Sequence, residues 1–184
     1  MALKEKALRR LAEKLNAAGI TWAVGASWLL CQRGILEGYH DFDVMVMEGN
    51  IDRTDRILAR LGMGGREDSG DAYHGAYHFD GADFDVMAGV TLHTPEGEWH
   101  WVFDESAVAG YAEVQGAQVP LMHLEDWYVF YSLIGREARA DAIAQWWERH
   151  GIEHPERFRR VTREPLPQAL EEKINLLLKT EEPS

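Results

Sequence analysis

Residues 20–43 read ITWAVGASWLLCQRGILEGYHDFD, and this stretch decides the fold. The apolar run at 20–24 is typical of a short buried strand, and it leads into the turn Gly25-Ala26-Ser27. Ser27 is expected to cap a helix that ends near Gly34. Residues 41–47 then begin with acidic and apolar side chains in alternation, which predicts a second strand. The stretch therefore predicts a strand, a tight turn, a helix and another strand in succession.

The flanking segments extend this unit into an α+β fold. Apolar residues at helical spacing predict helices over 3–18 and 51–61, and a glycine-rich, mobile connection is expected at 62–70. Further strand patterns lie at 73–79, 82–87 and 98–103, and a hairpin with Gly116 in its turn is predicted at 111–119. Further helical patterns lie at 123–134, 137–150 and 170–178. This order predicts a mixed sheet with helices packed on it. We expect a core domain over residues 1–120 and a C-terminal helical region over 121–184 that packs on the core or extends from it.

The composition is that of a globular protein. The chain has 184 residues, of which 46% are hydrophobic and 27% are charged, so wholesale disorder is excluded. No apolar run approaches the roughly 20 residues that span a bilayer, and no export signal is recognisable, so we expect a cytoplasmic protein without a membrane partner. The single Cys31 excludes an intramolecular disulfide framework.

The charge balance is strongly acidic. The formal net charge is −12, from 31 acidic and 19 basic side chains. Nucleic-acid binding depends on cationic side chains that displace phosphate counterions, so general nucleic-acid binding is disfavoured. The carboxylates make divalent cations plausible partners, although they can also serve only to keep the surface soluble. The one basic cluster, at 157–163, is expected on a solvated helix face.

The turn Gly25-Ala26-Ser27 is the first candidate for chemistry. A glycine between a strand and a helix lets a phosphate approach the backbone closely. The first amides of the helix and Ser27 Oγ then offer hydrogen-bond donors at the positive end of the helix dipole. The alternative is an ordinary structural turn, which the pattern alone favours.

Asp41 and Asp43 are the second candidate, because residues two apart on a strand point to the same face. Two carboxylates on one face of an apolar strand repel each other and are costly to desolvate. A shared divalent cation removes both costs. In the alternative interpretation Asp41 caps the start of the strand and Asp43 meets solvent or a basic partner.

Asp83 and Asp85 repeat this spacing on a later predicted strand, just after the Asp80-Gly81 turn that is typical of a hairpin. One of them can complete a three-carboxylate cage if its strand lies beside 41–47, but the spacing does not choose between them. His74 and His78 can line a site beside these carboxylates, although surface positions in the hairpin are favoured. Together the motifs suggest a turn that holds a triphosphate and carboxylates that hold Mg²⁺.

These residues resemble the DNA polymerase β-like nucleotidyltransferase superfamily, whose pattern is Gly-x-Ser at a strand–helix turn, Asp-x-Asp on the next strand and a third acid on a later strand. The likeness covers about residues 3–150 and is greatest to small prokaryotic members, among them antibiotic nucleotidyltransferases and toxins of type IV toxin–antitoxin systems. The segments that carry it are VGASWLL (24–30), HDFDV (40–44), DGADFDVM (80–87), VPL (119–121), LED (124–126) and GR (135–136).

The resemblance implies a role for each motif. Asp41 and Asp43 would be ligands of Mg²⁺ or Mn²⁺, and the turn Gly25-Ala26-Ser27 would bind the nucleotide. Alignment of the hairpin turn places the third acid at Asp85, as a further ligand or the general base. His40 stands where the family often has Ser or Thr, and no acceptor-binding domain is recognisable.

The activity implied is transfer of a nucleoside monophosphate from an NTP such as ATP to a hydroxyl-bearing acceptor, with release of pyrophosphate. The acceptor, whether a small molecule, an RNA or a protein, is not implied. The alternative is a non-catalytic module of the same fold, or a toxin–antitoxin component, that binds a partner protein. A phosphohydrolase that holds metal with the same acids is a third hypothesis, and it would release inorganic phosphate.

Overall fold

The computed structural model of the chain describes residues 2–68 and 73–180. The chain divides into two compact units. The first unit runs up to Val90 and includes Val102–Met122, and the second comprises Thr91–Trp101 and the chain from His123 onward. In the part of the chain that is described, no helix has the length and apolar character needed to cross a membrane. The predicted division after residue 120 stays a prediction.

The described helices are α1 (Ala2–Ala17), α2 (Ala26–Gln32), α3 (Ile51–Leu58), α4 (Leu124–Leu133), α5 (Glu137–His150), α6 (Pro155–Val161) and α7 (Gln168–Thr180). The described strands are β1 (Trp22–Val24), β2 (Phe42–Val46), β3 (Met63–Asp68), β4 (Tyr73–Phe79), β5 (Ala82–Ala88), β6 (Thr91–Thr94), β7 (Gly97–His100), β8 (Val108–Val114) and β9 (Ala117–Met122). The α+β fold with a mixed sheet is confirmed.

The first unit is built on one sheet with the strand order β3-β4-β5-β2-β1-β9-β8. The pairs β2–β5 and β1–β9 are parallel and the other pairs are antiparallel. Helix α1 packs against β9, β5 and β8, because its apolar positions recur at helical spacing along one face. Leu8, Leu11 and Leu15 on that face are fully buried. The sheet thus has a helix-covered face that forms the core.

Two local predictions about the first unit are wrong. Helix α2 begins at Ala26 with Gly25 as its N-cap, and no side chain caps it, so Ser27 lies inside the first turn rather than before it. Residues 63–68 of the glycine-rich segment expected as a mobile connection at 62–70 form β3, which pairs with β4, and residues 69 and 70 lie outside the described part of the chain. An added Cβ at Gly64 would collide with the carbonyl oxygen of Ala76, so β3 and β4 can pair because Gly64 has no side chain.

The second unit consists of the β6–β7 hairpin and helices α4 to α7. Its core is aromatic: the ring of Trp101 lies 5.0 Å from that of Trp127 and 4.5 Å from that of Phe130. The prediction of a solvated basic face is wrong for Arg157, which is buried and donates from Nε and Nη2 to the carboxylate of Asp126. A buried charge requires such a partner.

Two carboxyl groups of α4 are buried in this unit. Burial raises the pKa of Glu125, against the lowering effect of a backbone hydrogen bond from His154 N–H at 3.0 Å. Burial also raises the pKa of Asp126, and the Arg157 guanidinium opposes that shift. With three hydrogen bonds from the guanidinium, 2.8 to 3.1 Å in length, the Asp126 carboxylate is the charged partner of an ion pair.

Candidate functional site

Asp43 and Asp85 are direct neighbours in the sheet. Strands β2 and β5 run parallel with Phe42 beside Phe84, Asp43 beside Asp85 and Val44 beside Val86. Neighbours in a strand register share a face, and adjacent strands lie about 4.8 Å apart. The rings of Phe42 and Phe84 stack on the other, buried face with their centroids 5.1 Å apart. Packing of this apolar face holds the two carboxylates side by side on the opposite face.

Asp41 and Asp83 each stand two residues before one member of that pair. Asp41 comes just before the first residue of β2 and is half-buried. Asp83 lies on β5, where buried and accessible residues alternate, and it shares the accessible face with Asp85. The sequence left the choice between Asp83 and Asp85 open on spacing alone, and the register places Asp85 next to Asp43.

The predicted phosphate turn adjoins this pair through β1. Val24 lies beside Val44, and one residue further the Gly25 N–H donates to the Asp43 carbonyl oxygen at 2.9 Å. The Gly25 carbonyl accepts from Leu29 N–H, which closes the first turn of α2. Ala26 is buried with φ +44°, and Ser27 is half-buried. The structure therefore brings the Gly25-Ala26-Ser27 turn next to Asp43.

Two histidines of β4 lie on the same face of the sheet. The antiparallel register sets Ala76 beside Asp85 and His78 beside Asp83. His78 Nδ1 is 2.6 Å from Asp83 Oδ1, whereas His74 Nε2 is 3.9 Å from Asp85 Oδ1. Both histidines are partly exposed, as expected for surface positions of a hairpin, and both lie beside carboxylates. The pairing of His78 with Asp83 was missed, although the two residues flank the recognised Asp80-Gly81 turn symmetrically.

A depression of about 420 Å³ opens on this face next to Asp85. Its walls are formed by residues of β3, β4 and β5, namely Gly64, Ala76, Tyr77, His78, Asp83 and Asp85. Its volume falls within the range of small-molecule pockets.

Asp43 and Asp85 can supply part of the ligand set of a divalent cation. Within residues 2–68 and 73–180, no group of three or more His, Cys, Asp or Glu side chains is arranged to hold a metal ion. Mg²⁺ in proteins is usually bound through one or two carboxylates and completes its shell with water and substrate phosphates. The paired carboxylates of Asp43 and Asp85 are donors of that kind and number.

Neither a family model nor a curated protein matches the sequence. Several solved structures do match. One is TM1012 from Thermotoga maritima, described as a candidate nucleotidyltransferase, with 22% identity and a TM-score of 0.62 over 78% of this chain and 91% of that chain.

Two further matches are more distant in sequence. The crystal structure of ANT(2'')-Ia in complex with adenylyl-2''-tobramycin has 11% identity and a TM-score of 0.53, and the match covers 77% of this chain and 87% of that chain. The lincosamide antibiotic adenylyltransferase LnuA, bound to lincomycin, has 13% identity and a TM-score of 0.53, covering 77% and 96%. The chain therefore has a nucleotidyltransferase-like fold, as the sequence motifs predicted.

Proposed function

We propose that this protein is a divalent-metal-dependent nucleotidyltransferase that moves a nucleoside monophosphate from an NTP to a hydroxyl-bearing acceptor and releases pyrophosphate. The observation that carries the proposal is the register of β2 and β5, which sets Asp43 beside Asp85 on an accessible face. The hydrogen bond from Gly25 N–H to the Asp43 carbonyl oxygen supports the proposal, because it holds the Gly25-Ala26-Ser27 turn next to this carboxylate pair. The likeness of fold to nucleotidyltransferases is consistent with this activity.

In this proposal Asp43 and Asp85 hold Mg²⁺ or Mn²⁺, and the role of Asp41 as a further ligand stays a prediction from the family resemblance. The ion would neutralise phosphate charge and lower the barrier to attack on the α-phosphorus. The pair suits this role electrostatically, because two like charges held at the spacing of neighbouring strands favour a cation between them. Rigid placement on strands also limits the reorganisation that the site must undergo during the reaction.

The Gly25-Ala26-Ser27 turn binds the polyphosphate in this proposal. The Gly25 N–H is already engaged with Asp43, so Gly25 contributes space for the phosphates rather than a donor. The first N–H groups of a helix have no acceptor within that helix, which leaves the amides of Ala26 and Ser27 as donors. The Ser27 hydroxyl adds a further donor.

The test is release of pyrophosphate from α-labelled NTPs in the presence of Mg²⁺. The acceptor panel contains tobramycin and lincomycin, which the two antibiotic-modifying neighbours contain in adenylylated or free form, together with a tRNA mixture. We expect Asp43→Asn to lower the rate by about a hundredfold or more, equivalent to several kcal/mol of transition-state stabilisation. Asp141→Asn, which removes an exposed carboxylate of α5, is the matched control.

The outcomes separate the hypotheses. Pyrophosphate release that depends on Mg²⁺ and on Asp43 supports the proposal. Release of inorganic phosphate in its place would identify a phosphohydrolase. Failure of the wild-type protein to bind any metal–nucleotide complex, measured by equilibrium dialysis, would contradict nucleotidyl transfer and favour a non-catalytic binding module of the same fold.

A further inference from the structure

The depression next to Asp85 lies on one side of the carboxylate pair, and the phosphate turn lies on the other. Along the sheet the order is β3, β4, β5, β2, β1, with Asp85 on β5, Asp43 on β2 and the Gly25 turn after β1. A nucleotide whose phosphates extend from the Gly25 turn to Asp43 and Asp85 would leave the part of this face on β4 and β3 open to a second molecule. This inference rests on the proposed nucleotidyl transfer and concerns the second substrate.

Small residues create the open volume. Ala76 is the neighbour of Asp85 on β4, and Gly64 lies opposite Tyr77 on β3. Gly64 has φ +128°, and an added Cβ there would collide with the backbone of β4, so the backbone itself forbids a larger residue at this point. An open recess of about 420 Å³ thus lies directly beside a proposed metal ligand.

One wall of the recess carries an oriented imidazole. His78 Nδ1 lies 2.6 Å from Asp83 Oδ1 across the β4–β5 ladder. An ionised carboxylate only accepts hydrogen bonds, so the imidazole tautomer that suits this contact has its proton on Nδ1. The other ring nitrogen, Nε2, then carries a lone pair and can accept a proton. Both side chains remain more than half exposed, which leaves them accessible to a ligand in the recess.

We propose that this recess binds the acceptor, that the acceptor is a small hydroxyl-bearing molecule without phosphate, and that His78 accepts its proton. The hydroxyl proton passes to His78 Nε2 while the hydroxyl oxygen forms a bond to the α-phosphorus of the NTP. The bond from that phosphorus to the bridging oxygen breaks, and pyrophosphate leaves with the electron pair. Asp83 is a positioning residue that holds the imidazole in the tautomer with Nε2 unprotonated.

The class of acceptor follows from the charge and size of the recess. Asp83, which has no part in the proposed metal site, lines the recess, and phosphate oxygens brought beside this carboxylate would be repelled. A net charge of −12 for the whole chain acts in the same direction at longer range. A recess of about 420 Å³ accommodates a molecule of drug size rather than a folded polymer.

The experiment compares two histidine–carboxylate pairs that both lie across antiparallel hairpins. His78→Ala and Asp83→Asn alter the proposed site, and His93→Gln and Glu98→Gln alter the matched pair of the β6–β7 hairpin, where His93 Nδ1 lies 3.4 Å from Glu98 Oε1. Each variant is assayed for metal–NTP binding without acceptor by equilibrium dialysis. Each is then assayed for pyrophosphate release with tobramycin, lincomycin or tRNA as acceptor probe.

We expect His78→Ala to lower acceptor-dependent release by about a hundredfold, the usual contribution of a general base, while metal–NTP binding stays at the wild-type level. Added imidazole should restore part of the rate in His78→Ala and none in Asp43→Asn, a result that a merely structural role of His78 would not give. Ala76→Leu, which fills the recess, should raise KM for the acceptor without changing nucleotide binding. The hairpin controls should behave as wild type.

Failure of this inference is distinguishable from failure of the proposed function. An active wild type with an equally active His78→Ala variant would overturn the role of His78 alone. Preferred labelling of tRNA would overturn the class of acceptor. A wild-type protein that neither binds metal–NTP nor releases pyrophosphate with any probe would overturn the proposed function and this inference together.

Discussion

Replacement of Asp85 by asparagine should make the metal-free protein more stable and should abolish its stabilisation by metal–nucleotide. The reason is the register that sets Asp85 beside Asp43, since two like charges on neighbouring strands repel each other. Asparagine keeps the shape of the side chain and removes its charge.

The size of the effect follows from the spacing of the strands. Two unit charges about 5 Å apart, close to the spacing of adjacent strands, repel by about 0.8 kcal/mol in water and by about 3 kcal/mol at an effective dielectric constant of 20. The Asp85 side chain is 40% exposed and its Oδ1 lies 3.9 Å from His74 Nε2, both of which favour the lower figure. We therefore expect Asp85→Asn to add about 1 kcal/mol, or roughly 2–4 °C in Tm for a chain of this size.

Differential scanning calorimetry with and without Mg²⁺ and a non-hydrolysable NTP measures both effects. At a ligand concentration of about a hundred times Kd the wild type should gain about 2.7 kcal/mol, and Asp85→Asn should gain almost nothing. Asp141→Asn serves as the control and should keep the ligand-dependent gain. A lower Tm for metal-free Asp85→Asn, together with a ligand shift equal to that of the wild type, would contradict both the repulsion and the role of Asp85 in metal binding.

Three other predictions concern residues around the site and in the second unit. Asp126→Ala should lower the free energy of unfolding in urea by about 3–5 kcal/mol, because it removes the carboxylate bound to buried Arg157. The double variant Asp126→Leu/Arg157→Met should recover much of that loss, and an equal loss in both variants would contradict this prediction. Gly64→Ala should cost about 1–3 kcal/mol at its φ of +128°, whereas Gly65→Ala, with open space around it, should stay near neutral in the same measurement. Burial raises the pKa of Glu125 above its ordinary value of 4.5. Between the ordinary and the raised pKa the folded state therefore binds more protons than the unfolded state, and the free energy of unfolding falls as pH rises through this window. Compared with Glu125→Gln, the wild type should therefore lose free energy of unfolding as pH rises through this window. A gain with rising pH would contradict the raised pKa of Glu125.

The strand–turn–helix–strand unit was predictable because each of its signals is local. An apolar run bounded by Gly25 marks β1, and acidic residues at every second position mark the start of β2. Helices α4 and α5 were equally clear, since long apolar periodicity and the positive-φ residues Gly135 and Gly151 mark where they end. Signals of this kind need no knowledge of distant contacts.

Features that depend on distant partners were predicted wrongly. Gly64 and Gly65 have no strand preference of their own, yet they form part of β3 because β4 supplies the hydrogen-bonding edge, and the backbone of β4 leaves no room for a side chain at Gly64. Arg157 belongs to a charged run that is typical of a solvated face, and it is buried because Asp126 lies opposite it. The sequence separation of 31 residues between those two partners hides the pairing from any local pattern.

The choice between Asp83 and Asp85 shows why the site needed a register as well as a pattern. A period of two puts both residues on one face, so alternation treats them as equivalent. The parallel ladder with β2 sets Asp85 beside Asp43, and the antiparallel ladder with β4 sets Asp83 beside His78. Two carboxylates that the sequence cannot distinguish thus acquire different neighbours in the strand register, Asp43 for Asp85 and His78 for Asp83. Like-charged neighbours favour a cation between them, whereas a carboxylate bonded to imidazole fixes a tautomer, so the same strand supplies both the proposed metal ligand and the proposed support of a base.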